Sequence, residues 1–311
     1  MMDRRSFISL TASAATADAQ SQPIDAPKWP SPVIDIHLHW RQDLRLDADA
    51  NIAHMDGCGA TRAILLTNVQ AKESARAKVA KYPQRLIWSV SADITKPDAE
   101  KVFTAAVRDG AKAFGEIKFH VAADGPELRR MYSLAADLNV PILIHFQEAE
   151  QFAGEGVYST GFKQFAKVLK AFPKTRFVGH ADAFWANISA DYNNETAYPV
   201  GPIQPGGVTD KLLGDFPNLY ADMSANSGNN ALSRDLEFTK AFLVRHQNKL
   251  MFGSDCPCTD GRGGGTENTK RRLAGKCAAR ETLSLLGKLA SPEVFRKLAW
   301  ENALKLYKIS G

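Results

Sequence analysis

The 311 residues are 44% hydrophobic and 23% charged, the balance of an ordinary soluble globular chain long enough to bury a full core. The formal net charge of +5 is modest, and Lys and Arg are scattered among Asp and Glu with no dense basic stripe, which argues against nucleic acid as a partner. Beyond the N-terminus no apolar run reaches the ~18 residues needed to cross a bilayer, so membrane insertion is not expected. A small-molecule substrate is the partner that remains, and a homo-oligomer is left open.

Met1 to Arg5 is a short charged start containing Arg4-Arg5. Ser6-Phe7-Ile8-Ser9-Leu10 follows, and a small-residue stretch ends in Ala17-Asp18-Ala19, an A-x-A-like cleavage pattern. The run Arg-Arg-x-Phe-Ile resembles a twin-arginine export signal. That resemblance implies a signal peptide over 1–19, export by the twin-arginine machinery and a soluble periplasmic mature chain. Residues 20–32, rich in Pro and polar side chains, read as an extended lead-in, and 33–311 as a single domain.

From Val33 onward, short β-branched runs alternate with helical stretches, the pattern of parallel β/α units. The candidate strands are Val33–His37, Arg62–Leu66, Leu86–Ser91, Ala111–Lys118, Pro141–His145, Arg176–His180, Asn218–Met223 and Lys249–Asp255. Helices are expected at Asp98–Asp109, closed by Gly110, and at Pro126–Leu138, closed by Asn139. A last helical segment runs from Ser291 to Tyr307, with Ser291-Pro292-Glu293 as cap and first turn. Eight such units over about 270 residues fit an α/β fold of the (β/α)8 TIM barrel type. A doubly wound open sheet would call for a Gly-rich dinucleotide fingerprint, which is missing. The long connection from Ala181 to Pro217 exceeds a plain βα loop and suggests a lid or substrate wall.

Side chains two apart on a strand point the same way. His37 and His39 therefore share one face, half of a preorganised metal site. Alone the pair is a weak signal, but ligand-type residues close further runs: His145 on the fifth, His180 on the sixth and Asp255 on the eighth, with Glu116 in the fourth. These are the carboxyl ends of the strands, where barrel active sites lie. His54 and His246 fall in helical patterns and read as surface or packing residues; His120 is a substrate contact or a packing residue. Cys58, Cys256, Cys258 and Cys277 are too few for a disulfide scaffold. In an oxidising compartment the simplest bridge joins Cys277 to Cys256 or Cys258. The Cys-x-Cys spacing is not the C-x₂-C of a structural zinc site, and at least two thiols are expected buried or free.

His-x-His on the first strand, an acid or lysine on the fourth, single histidines on the fifth and sixth and Asp on the eighth resemble the amidohydrolase superfamily pattern. Pro-Ile-Leu-Ile-His-Phe, Phe-Gly-Ser-Asp-Cys-Pro and Glu301-Asn302-Ala303-Leu304-Lys305-Leu306-Tyr307 are similar to its amidohydrolase-2 branch. The resemblance implies a metal-dependent hydrolase. His37, His39 and Asp255 would hold one ion, His145 and His180 a second, and Glu116 would bridge them, with a carbamylated Lys118 as the other candidate bridge. A mononuclear site is the alternative: His37, His39, His145 and Asp255 around one ion, with His180 in catalysis. Asp255 would also be catalytic, taking a proton from activated water. Imidazole and carboxylate donors suit zinc, with manganese, iron and cobalt also open.

Such a site cleaves C–O or C–N bonds of esters, lactones or amides. A decarboxylase or hydratase on the same scaffold is the alternative, and a non-catalytic binding protein is a third reading with slight support. Trp40, Phe146, Phe184 and Trp185 each follow a ligand motif closely and either line the mouth or pack the loops around it; in the first case Arg41 would pair a substrate carboxylate. Together they suggest a small cyclic or aromatic carboxylate as substrate.

Overall fold

All eight candidate runs become strands, in a computed structural model that describes residues 26–39, 48–68, 72–268 and 272–310. The export signal expected over 1–19, the first part of the lead-in, and Trp40 and Arg41 lie outside the described residues. The order is β1 (Ile34–His39), α1 (Ala48–Cys58), β2 (Arg62–Asn68), α2 (Lys72–Lys81), β3 (Leu86–Ser91), α3 (Ala99–Arg108), β4 (Phe114–Ile117) and α4 (Pro126–Asp137). It continues with β5 (Ile142–His145), α5 (Ala166–Ala171), β6 (Phe177–His180), α6 (Ala181–Ala186), α7 (Val208–Asp215) and β7 (Leu219–Asp222). Then come α8 (Ala225–Ser233), α9 (Leu236–Arg245), β8 (Leu250–Met251), α10 (Ala278–Leu289), α11 (Pro292–Arg296) and α12 (Asn302–Tyr307).

Each strand pairs in parallel with the next, in the order of the sequence. The ring closes where Ile36 N–H donates to the Phe252 carbonyl (3.1 Å) and Asp255 N–H to that of His37 (2.8 Å). The chain is a (β/α)8 barrel. Its strands are buried on both faces, as helix-covered parallel strands must be, which explains their near-continuous apolar runs.

β4 and β8 are shorter than expected by more than two residues, each for a visible reason. In β4 the register shifts between Phe114 and Ile117. Gly115 sits there at φ +113, and a Cβ on it would lie 2.5 Å from the Leu143 carbonyl oxygen. After Met251 the regular ladder gives way to single backbone bonds, from Ile36 N–H to the Phe252 carbonyl and from Asp255 N–H to that of His37, while a side chain takes the polar groups of Ser254 between them. The Asp35 carboxylate accepts from Ser254 N–H (2.8 Å) and from Ser254 Oγ (2.5 Å), bracing β1 against the exit of β8.

The helices keep their expected punctuation. Pro126 opens α4 without costing a hydrogen bond, and Asn139 just beyond it takes φ +55. Ser291 caps α11 by accepting from Val294 N–H (3.3 Å), and a π-helical turn at Lys297–Glu301 links α11 to α12. The connection 181–217 carries α6 and α7 and brings Ala181 and Tyr198 to the wall of the cavity described below. His54 and His246 are both buried, and His246 Nε2 lies 2.6 Å from Asp210 Oδ1. All four cysteines are buried and none is in a disulfide, so the Cys277 bridge is not formed; the Cys256 and Cys277 sulfurs are 3.7 Å apart. No described helix is long and apolar enough to cross a membrane.

Candidate metal centre

The strand register assembles the site. β5 and β6 pair with His145 directly opposite His180, so two imidazoles reach the same rim side by side. On β1 the two-residue period brings His37 Nε2 to 3.1 Å from His39 Nε2. Two nitrogens bound to one zinc at 2.0–2.1 Å stand about 3.3 Å apart in a tetrahedral site, so this spacing is that of ligands sharing an ion. Asp255 faces the same pair, its Oδ1 3.4 Å from His39 Nε2 and 3.9 Å from His37 Nε2.

Glu116 stands between the two halves and divides its oxygens. Oε2 lies 3.5 Å from His39 Nε2 and 4.0 Å from His37 Nε2. Oε1 lies 2.5 Å from His145 Nδ1 and 3.4 Å from His180 Nε2. Ligand atoms from His37, His39 and Glu116 fall within 4.8 Å of one another, as do those of Glu116, His145 and His180 and those of His37, His180 and Asp255.

Behind the histidines a buried network sets their orientation. Asp222, at the end of β7, accepts from His37 Nδ1–H at 2.6 Å and from the Ser224 hydroxyl at 2.8 Å. Because Ser224 donates to Asp222, its oxygen is left to accept from His180 Nδ1–H, 2.9 Å away. Both rings are thereby held with Nε2 turned to the centre, as an outer carboxylate does for metal-bound histidines. Gly253 makes room for this: a Cβ there would lie 2.3 Å from Asp222 Oδ1 and 2.9 Å from His37 Cβ. Asp222→Asn should weaken metal affinity on the order of 10–100-fold, measured by competition with a chromogenic chelator; unchanged affinity would dismiss the orienting role.

The electrostatics ask for a cation. Burial opposes charge on His37, but Asp222 beside it, followed by Asp255 and Glu116, pushes its pKa up to about 10. Burial and the charge on His37 push His180 down to about 4. Burial alone would raise Glu116, yet His145, His39 and His180 hold it well below the carboxylate range. Asp255 behaves alike, lowered against its burial by His37 and His39. The three carboxylates draw positive charge onto His37, and a divalent ion among the same atoms would supply it. The donor set fits such an ion.

A cavity of about 280 Å³ opens onto His39, Glu116, His145, His180 and Asp255. Lys118, Phe152, Tyr198 and Lys276 lie on its walls. Lys118 is not at the bridging position: its Nζ is 2.5 Å from Glu155 Oε1 and rests over the Tyr158 and Phe152 rings. His120 stacks on Tyr158, ring centroids 3.8 Å apart.

The aromatic wall is not the one expected. Phe146 is wholly buried among Phe162, Phe165 and Phe184. Trp185 is wholly buried too, donating its indole N–H to the Asp222 carbonyl (2.8 Å) and packing on Phe184 and Phe242. Ala181 turns the chain at φ +78 straight into α6, which directs Phe184 and Trp185 into the core. Asp222 and Ser224 escaped the sequence reading, although Asp222 closes its strand as Asp255 closes another run. Phe152 and Tyr198 carry no strand-end signal at all.

A family model described as amidohydrolase matches residues 208–309, a stretch that holds Asp222 and Asp255. No curated protein sequence matches the chain. Among solved structures, a probable 2-pyrone-4,6-dicarboxylic acid hydrolase from Acinetobacter baumannii, with citric acid bound, is similar at 12% identity and TM-score 0.58, over 89% of this chain and 100% of that one. Dihydroorotase from Campylobacter jejuni is similar at 18% identity and TM-score 0.56, over 90% of this chain and 84% of its own. The manganese complex of 5-carboxyvanillate decarboxylase from Novosphingobium aromaticivorans is similar at 14% identity and TM-score 0.54, over 83% of this chain and 79% of its own. These likenesses establish a shared barrel.

Proposed function

We propose that the chain is a metal-dependent hydrolase that cleaves a C–O or C–N bond, of an ester, lactone or amide, in a small carboxylate-bearing molecule. The observation that carries this is the split of Glu116, one oxygen toward His37 and His39 and the other toward His145 and His180. His37, His39 and Asp255 would hold one ion and His145 and His180 the other. Bound divalent ions, with zinc or manganese the leading candidates, supply Lewis acidity that polarises a carbonyl and lowers the pKa of water from 15.7 to about 7.

The chain's own residues do the rest. Asp255 is held ionised by His37 and His39 and borders the cavity, so a carboxylate oxygen can accept a proton from water and pass it to the departing oxygen or nitrogen. Asp222 and Ser224 keep the ring nitrogens of His37 and His180 aimed inward. Lys118 and Lys276 place ammonium groups on the cavity wall, each beside a glutamate (Glu155 at 2.5 Å and Glu281 at 3.5 Å), where a substrate carboxylate would share them, while Phe152 and Tyr198 offer ring surface. The dicarboxylic acid in the name of the similar pyrone hydrolase agrees with a carboxylate-bearing substrate.

The test is turnover of a panel of carboxylate-bearing lactones, esters and cyclic amides in isotopically heavy water. Hydrolysis puts one heavy oxygen into the product and releases no carbon dioxide. Carbon dioxide without oxygen uptake would replace this reading with decarboxylation. Lys118→Ala and Lys276→Ala should each raise KM for the turned-over acid about tenfold, equivalent to ~1.4 kcal/mol, with metal content unchanged. An equal KM in both variants would remove the lysines from substrate recognition.

A further inference from the structure

Immediately after Asp255 the chain enters a second cluster. Cys256 Sγ lies 3.2 Å from Cys258 Sγ and 3.7 Å from Cys277 Sγ, and Cys258 Sγ lies 3.4 Å from His54 Nδ1. The four ligand atoms all fall within 4.8 Å of one another, and all four residues are buried. Sulfurs this far apart are not disulfide-bonded, since that bond is about 2.05 Å long. Around a zinc ion with Zn–S near 2.3 Å and Zn–N near 2.0–2.1 Å, tetrahedral geometry sets the sulfurs about 3.8 Å apart and sulfur from nitrogen about 3.6 Å. The observed edges approach those values.

We propose that His54, Cys256, Cys258 and Cys277 form a structural zinc site, separate from the carboxylate–histidine centre. Soft thiolates with one imidazole select zinc over the hard cations that oxygen ligands favour. Four protein ligands close the coordination sphere, so the role is structural and not catalytic. The ligands come from three places: His54 from α1, Cys256 and Cys258 from the chain leaving β8, and Cys277 from the residue that precedes α10.

What the ion would fasten is the long stretch between β8 and α10, which has no helix or strand among its described residues. This stretch carries Asp255 and supplies Pro257, Thr266, Leu273 and Lys276 to the cavity wall. Its backbone rests directly on α1: a Cβ on Gly57 would lie 1.9 Å from the Asp260 carbonyl oxygen, and one on Gly261 2.2 Å from that of His54. A zinc ion here ties a loop without a ladder of its own to the helix it lies on, one residue from Asp255.

Cobalt spectroscopy tests this without relying on the reading of the catalytic centre. The full chain, produced in cobalt-supplemented medium, should show the intense near-ultraviolet thiolate-to-cobalt charge-transfer band, which nitrogen and oxygen donors cannot produce. The band should persist in a His37→Ala/His39→Ala variant, weaken in Cys277→Ser, and be lost with one equivalent of metal in Cys256→Ser/Cys258→Ser/Cys277→Ser. Should the triple variant fail to fold, the spectrum of the unaltered chain decides. A cobalt-loaded chain without the band, or a band that survives in the triple variant, overturns the proposal.

Discussion

Asp255→Asn should lower kcat on the order of 10³-fold, within the range that a positioned general base contributes, and leave KM within about threefold. Asparagine is the informative replacement. It keeps the size of the side chain, it tolerates the left-handed φ of +42 found at this position, and it leaves the backbone N–H free to donate to the His37 carbonyl. What it removes is the carboxylate that His37 and His39 hold ionised beside the cavity, which is also a proposed ligand of the ion there, so metal content is measured beside turnover. A variant that folds, keeps its metal and turns over at the original rate would take the proton-transfer role away from Asp255.

If Glu116 bridges two ions as proposed, Glu116→Gln should cost the centre at least one of them and reduce turnover by about 10³-fold. The amide fills the same space between β1 and β5 but loses the negative charge. One end of it presents N–H groups to an imidazole pair, where the native oxygens lie 2.5 Å from His145 Nδ1 and 3.5 Å from His39 Nε2. An uncharged bridge cannot offset two divalent ions held close together, so repulsion between them expels one. Elemental analysis of the purified variant beside the unaltered chain reads the loss. Equal metal content in the two would reassign the bridge.

The metal ligands were legible because strand geometry is periodic. His37 and His39 share a face by parity, and His145 and His180 end runs that pair in register. Asp222 obeys the same logic, but its run was read through to Met223, which hid the carboxylate one residue inside. The aromatic wall was misread for a different reason. Nearness in sequence to a ligand means nearness in space only while the strand continues, and Ala181 ends β6 and starts α6 in a single step. Phe152 and Tyr198 reach the cavity from loops whose path no local pattern specifies. The thiol cluster was illegible because spacing rules presume ligands close in sequence. Here α1 contributes His54 some two hundred residues before the cysteines it meets.

The length of the eighth strand shows the limit of propensity. Lys249 to Asp255 reads as one extended run, yet regular strand pairing covers only Leu250–Met251, with single backbone bonds to β1 beyond it. Ser254 turns its N–H and hydroxyl to Asp35, a side-chain brace that depends on a residue more than two hundred positions earlier. That brace fixes the exit of the strand on which Asp255 stands, so the position of the proposed base is decided by tertiary contact.

The most direct test of the central claim is anomalous diffraction from crystals of the metal-loaded chain, recorded above and below the edge of the metal it carries. The account predicts two peaks flanking the Glu116 carboxylate, one beside His37, His39 and Asp255 and the other beside His145 and His180. A single peak there, or none, would contradict the two-ion centre.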